Sequence, residues 1–257
     1  MSSITRRAAL RTGTASLAAL AILARPALAC PTQARPIGGG CLSCRDAAAL
    51  RAGLLATSAD DITMFSGSGD AATDHFLGLA LRRIAVTFGV RPGFAFYDDH
   101  RAPNAFATSR SLLPDSTGTV LMGRRLFAER MRADGDAGMT VMAICAHEFG
   151  HIHQMTHDYR QALEDLDETV RPIELHADYL AGYFLALRKQ EHSEFDLQTV
   201  GRRFFAMGDT DLASPQHHGT SEERIAAITA GYQFGRAGAA DIAAAAAAGL
   251  RLVRRMI

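Results

Sequence analysis

Ala146-His147-Glu148-Phe149-Gly150-His151 lies in an apolar run that begins at Met139, and its reading decides the fold. On a helix, residues four apart are separated by about 400° of rotation, so His147 and His151 project from one face, one turn apart. Two imidazoles placed this way reach a single metal ion, and Glu148 beside them can accept a proton from a water there. The pattern predicts a helix over about 138–156 with Val141, Ile144, Cys145, Phe149, Ile152 and Met155 turned toward the core. Cys145 lies two positions off the histidine face and reads as a buried small hydrophobe.

A zinc ion held by two histidines needs a third protein ligand and keeps one position for water. Pro172 opens a later helix at its first turn, with Ile173, Ala177, Leu180, Phe184 and Leu187 as its buried stripe. On that helix Glu174 and Asp178 are one turn apart and face away from the stripe. Glu174 is therefore expected to complete the metal site. Asp178 is expected to accept a proton from a ligand histidine ring and so to set its tautomer.

His157 is the rival third ligand. It follows His151 by six residues, the spacing of a metzincin, H-E-x-x-H-x-x-G-x-x-H. That pattern needs glycine to turn the chain sharply, and Gln154 stands there instead. Glu174 is the preferred ligand, and a metzincin-type site through His157 is the alternative. His153 points off the metal face, and His75, His100, His176 and His192 show no spacing that implies ligation.

The 257 residues fit one domain plus a terminal extension, and 48% hydrophobic content is enough for a sizeable core. Lys and Arg balance Asp and Glu at 27 each. No basic stripe with interleaved aromatics appears, so nucleic acid is not an expected partner. No clean apolar run of about 18 residues is present, so no retained transmembrane span is expected.

Residues 1–29 read as a signal peptide of the twin-arginine type. Thr5-Arg6-Arg7-Ala8-Ala9-Leu10-Arg11 resembles the export motif, an Ala/Leu run follows, and Ala27-Leu28-Ala29 offers small residues to a signal peptidase. The expected location is periplasmic or secreted. Cleavage after Ala29 would leave Cys30 first, which allows a lipid anchor, although Ala27 stands where lipoprotein signals usually carry Leu. Cys41-Leu42-Ser43-Cys44 is a lone C-x-x-C. In an oxidising compartment a disulfide among Cys30, Cys41 and Cys44 is the more physical reading.

Residues 30–43 read as a flexible linker and 44–257 as the functional domain. Helices are expected over about 44–57 and over 70–88, the latter with Phe76, Leu77, Leu81, Ile84 and Phe88 on one side. Gly93–Tyr97 and Gly118–Met122 read as strands, and Pro103–Thr108 as a strand or extended loop. Residues 120–122 either form a free sheet edge, which could hold an extended peptide through backbone groups, or simply pack. Arg124–Arg132 is a short helix ended by Asp134-Gly135-Asp136. Asp158–Glu168 is a charged, solvated segment, and Ala239–Ile257 an Ala-rich helix that packs or projects.

The ordered set Asn104-Ala105-Phe106-Ala107, Thr119-Val120-Leu121-Met122, the H-E-x-x-H block, Glu174-x-x-Ala177-Asp178 and His218-Gly219-Thr220-Ser221-Glu222-Glu223-Arg224-Ile225 resembles the HtpX-type and BepA-type zinc metalloproteases. These are gluzincins related to the prenyl-protein processing proteases, and the resemblance covers roughly residues 70–235. It implies an α+β, zincin-like fold, mostly helical with a small antiparallel sheet next to the H-E-x-x-H helix. It further implies one Zn2+ held by His147, His151 and Glu174, with Glu148 as general base and Asp178 supporting a ligand. His218 would stabilise the oxyanion and Arg224 would hold the cleft together. The chain departs from the family in lacking membrane helices, in lacking a repeat of about 34 residues, and in having Gly219 where Pro usually follows the histidine.

The expected function is an exported zinc metalloendopeptidase acting on protein or peptide, with a place in envelope protein quality control. The alternative from another class is a non-proteolytic, zinc-bearing chaperone or assembly factor, in which His217 or His218 fills the open zinc position and latches the site. A metal-dependent hydrolase acting on cell-wall peptide is a third option.

Overall fold

Short aromatic and aliphatic runs punctuated by Gly and Asp become strands here, and the longer periodic runs become helices. A computed structural model describes residues 35–36, 62–100, 103–132, 137–191, 218–238 and 241–257. In chain order the elements are β1 (Arg35–Pro36), β2 (Thr63–Phe65), α1 (Ala71–Phe88), β3 (Gly93–Tyr97), β4 (Ala105–Thr108) and β5 (Thr119–Gly123). They continue with α2 (Arg124–Arg132), α3 (Ala137–Thr156), α4 (Tyr159–Glu164), α5 (Arg171–Glu191), α6 (Ser221–Arg236) and α7 (Ile242–Met256). All of them belong to one compact unit, Pro31–Ile257. The expected signal peptide, the helix over 44–57, Cys30, Cys41, Cys44, the break at 134–136, His192 and His217 lie outside the described residues. β1 falls within the stretch expected as a linker.

The described residues are mostly helical, with a small sheet of order β1-β2-β3-β5-β4. The expected antiparallel sheet is in fact mixed. β1–β2, β2–β3 and β4–β5 pair antiparallel, whereas β3 and β5 run parallel from Gly93↔Thr119 to Tyr97↔Gly123. Parallel pairing arises because the segment after β3 crosses roughly two strand spacings, or about 9–10 Å, before β4 starts. β5 then returns into the gap. Asp99 in that crossover is buried and accepts hydrogen bonds from the backbone N–H groups of Asn104, Arg125 and Leu126. It thereby ties the start of β4 to the start of α2. Every residue of β5 is buried, so residues 120–122 pack in the interior, and the outer strand beside α3 is β4.

α1 is capped by Asp70, whose carboxylate accepts from the Thr73 N–H, and buries Leu77, Ile84 and Phe88. Phe76, expected in that stripe, is 69% exposed; it stands about 100° around the helix from Leu77, off the buried face. α3 is interior, with all six residues expected at its core face buried except Met155, which is partly so.

α5 departs most from expectation. Instead of one apolar and one solvated face, it is buried all round from Pro172 to Ala186, with Glu174 alone half-buried. The cause is its central place: α3, α4, α6 and α7 all pack on it. Small residues let the neighbours approach. An ideal Cβ on Gly150 of α3 would lie 3.3 Å from the Ala177 Cα of α5. Between α5 and α6 there is no room for any Cβ, since one on Gly182 would strike the Ile228 carbonyl and one on Gly231 the Tyr179 carbonyl. α7 packs too, burying Ala245, Ala246, Gly249 and Val253. Among the described residues, no helix is long and apolar enough to cross a membrane.

Candidate metal centre

The close approach of α3 and α5 is what assembles the site. His147 and His151 project from α3 as the four-residue spacing requires, and Glu174 meets them from the first turn of α5. The two Nε2 atoms are 3.1 Å apart. The Glu174 carboxylate reaches both, with Oε2 3.2 Å from the Nε2 of His147 and Oε1 3.3 Å from that of His151. Their three ligand atoms lie within 4.8 Å of one another. Two neutral imidazole nitrogens and one carboxylate oxygen, presented together from rigid helices, fit the donor set of a single divalent ion that keeps an open position. These three residues can hold a metal ion. Of the four candidate ligands, the structure brings together His147, His151 and Glu174 and leaves out His157. The His157 Nδ1 lies 3.2 Å from the carbonyl of His153, and its ring stacks on the His153 ring.

The rear of His147 is held as expected. Its Nδ1 donates to Asp178 Oδ1 at 2.8 Å, which leaves Nε2 as the nitrogen that faces Glu174 and His151. Asp178 is fully buried and is gripped in turn by the Arg224 guanidinium, Nε to Oδ2 at 2.7 Å and Nη2 to Oδ1 at 2.9 Å. Burial opposes ionisation of Asp178, but Arg224 and His147 outweigh it and hold its carboxyl below the usual range. The same logic governs Glu174: burial raises its pKa, while His151, His147 and His218 lower it further, so the net shift is well downward. Burial alone would lower the pKa of His147, yet Asp178 and Glu174 push it up to about 10. A metal ion arriving at this site therefore competes with a proton.

Glu148 behaves differently from Glu174. Burial raises its carboxyl pKa, and the opposing pull of His147 and His151 does not cancel the shift. A carboxyl whose pKa is raised holds a proton more readily than an ordinary glutamate, as a group that takes and returns one must. His218 enters from the segment before α6, with Nδ1 3.3 Å from Glu174 Oε2 and close to half of its side chain exposed. The turn behind it depends on Gly219, whose φ of +95° is open to glycine and closed to proline. Thr220 then starts α6 with a reciprocal capping box to Glu223, and this places Arg224 one turn in, facing Asp178.

Two residues in this neighbourhood were not singled out from the sequence. Gln154 and His176 are both buried and stand behind His151. Gln154 is three residues after His151, a spacing that places it alongside on the helix, but nothing local distinguishes it from any exposed glutamine.

No family model, no curated protein and no solved structure matches this chain.

Proposed function

We propose that this chain is an exported, zinc-dependent metalloendopeptidase that hydrolyses peptide bonds in proteins of the cell envelope. The observation that carries the reading is the convergence of His147, His151 and Glu174 beside a buried carboxylate, Glu148, whose pKa is raised. A structural zinc site fills all four positions with protein ligands, whereas three ligands next to a proton-accepting carboxylate suit hydrolysis. The N-terminal pattern of paired arginines and small residues at 27–29 supports export, and the resemblance to gluzincins supports the peptide bond as substrate.

His147, His151 and Glu174 would hold one zinc ion, which supplies positive charge that acidifies a water and polarises a carbonyl. Glu148 accepts the proton of the attacking water and later delivers it to the departing amine. Asp178 and Arg224 keep His147 oriented throughout. His218 donates a hydrogen bond to the carbonyl oxygen as it gains charge. β4, the outer strand next to α3, offers its edge to an extended peptide, so the backbone is recognised with little regard to sequence.

The test is metal analysis of the purified chain together with casein cleavage by wild type and Glu148→Gln. One zinc per chain in both proteins is expected, with cleavage by the variant lower by about 10²–10⁴-fold. Equal cleavage by both would overturn the mechanism.

The position of His218 against Glu174 favours one second reading, a closed site in a zinc-bearing chaperone or assembly factor. Under it, His218→Ala leaves the protein inactive on both folded and unfolded substrates. Under the protease reading wild type cleaves unfolded substrate and His218→Ala lowers that cleavage by about 10²–10³-fold, whereas under the closed-site reading wild type is inactive too.

A further inference from the structure

His147 has its orienting partner in Asp178, and His151 is held by a different device. The His151 Nδ1 is 2.9 Å from the Gln154 side-chain Oε1. The Gln154 Nε2 is 2.8 Å from the backbone carbonyl of Ile173 and 3.1 Å from the His176 Nδ1. The His176 Nε2 is 2.9 Å from the backbone carbonyl of Ala246 in α7. Gln154 is 1% exposed and His176 not at all, so no solvent shares these bonds.

The direction of every bond follows from the two carbonyls, which can only accept. The group facing the Ile173 oxygen must be the Gln154 amide nitrogen, so the group facing His151 is its oxygen, and the His151 Nδ1 must carry the proton. The second Gln154 N–H points at the His176 Nδ1, which must be bare. His176 then carries its proton on Nε2 and donates it to the Ala246 oxygen. Every N–H of the Gln154 amide and of the His176 ring is thereby used. The outcome at the near end is that His151 keeps its Nε2 lone pair directed toward His147 and Glu174.

We propose that Gln154 and His176 are positioning residues for the metal: a neutral relay that sets the tautomer of His151 from the backbone of the C-terminal helix. This rests on the reading of His147, His151 and Glu174 as metal ligands. The packing supports it independently, because α7 is shaped to admit His176. An ideal Cβ on Gly249 would lie 3.0 Å from the His176 Cδ2 and 3.2 Å from its Nε2. The two ligand histidines are thus supported asymmetrically, one by a charged pair and the other by a neutral chain.

Zinc affinity is measured by competition with a chromophoric chelator, and the d–d spectrum of the Co2+ form is recorded, for wild type, Gln154→Leu, His176→Leu and the double variant. Loss of an orienting partner weakens metal binding by about 10–100-fold, and this is expected for Gln154→Leu, with a changed Co2+ spectrum. His176→Leu should weaken binding less, and in the Gln154→Leu background it should add nothing, as coupled members of one chain behave. Wild-type affinity in Gln154→Leu, or the same loss from His176→Leu in both backgrounds, would overturn the relay. Nitrogen-15 NMR of the wild-type imidazoles decides the matter without any variant. His176 is expected with its proton on Nε2, and a proton on Nδ1 would overturn the relay. That readout needs no metal, so a wild-type chain that bound no zinc would defeat the metal reading while the relay was still judged by the spectrum.

Discussion

The Asp178 carboxylate lies 2.8 Å from the Nδ1 of His147, thirty-one positions earlier in the chain, and the same carboxylate receives both near nitrogens of Arg224. One buried anion thus serves a metal-facing histidine from α3 and an arginine from α6. Removing either neighbour leaves this carboxylate with one partner fewer in a dry interior.

Arg224→Leu should therefore destabilise the fold by about 3–5 kcal/mol, the usual cost of breaking a buried pair. It should also weaken zinc binding, since Asp178 loses the contact that orients it. Urea denaturation and chelator competition on the same preparation check both. A variant as stable as wild type would mean that the pair is not the support described above.

Glu174→Gln and His157→Ala should separate cleanly. The first removes a ligand carboxylate and should weaken zinc binding by more than the ~10–100-fold typical of losing an orienting partner. The second alters an imidazole that stacks on His153 away from the cluster and should leave affinity within about twofold. Metal titration of the two variants is the measurement.

Gly231→Ala should cost about 1–3 kcal/mol or more, although it adds a single methyl group, because the new Cβ would meet the Tyr179 backbone. A lowered melting temperature is expected, together with weaker metal binding as α6 carries Arg224 away from Asp178. Gly78→Ala, where a Cβ would meet nothing within 4 Å, is the control and should not lower the melting temperature.

The contribution of His153 and His176 to the stability of the metal-free chain should fall as pH is lowered through the window from about 6.5 to 4. Burial drops His153 and His176 from 6.5 to about 4, so in that window the unfolded chain binds protons that the folded chain refuses. Stability then rises with pH, with a slope of up to about 1.4 kcal/mol per unit for each histidine. His153→Gln should flatten the slope. Urea melts at several pH values with chelator present will show whether it does.

Local patterns made much of this molecule legible. The histidine spacing on α3, the Gly-bounded strands β3 and β5, and the pairing of Glu174 with Asp178 all follow from residues close in sequence. What depends on distant packing did not show. Parallel pairing of β3 with β5 is a property of the crossover before β4. The burial of α5 on every side comes from its central place and from small residues on it and on its neighbours, which its apolar stripe alone does not reveal. Gln154 and His176 read as ordinary polar residues because their partners, Ile173 and Ala246, offer backbone atoms without a residue-type signature.

The contact between His176 and the Ala246 carbonyl bears on how the protein is made. Ala246 lies 70 positions after His176, and Arg224 lies 46 positions after Asp178. A truncated product ending before α7 has no acceptor for His176, and one ending before α6 has no counter-ion for Asp178. Chains cut short of α6 or α7 therefore lack a finished centre, and synthesis through α7 becomes a condition for assembling it.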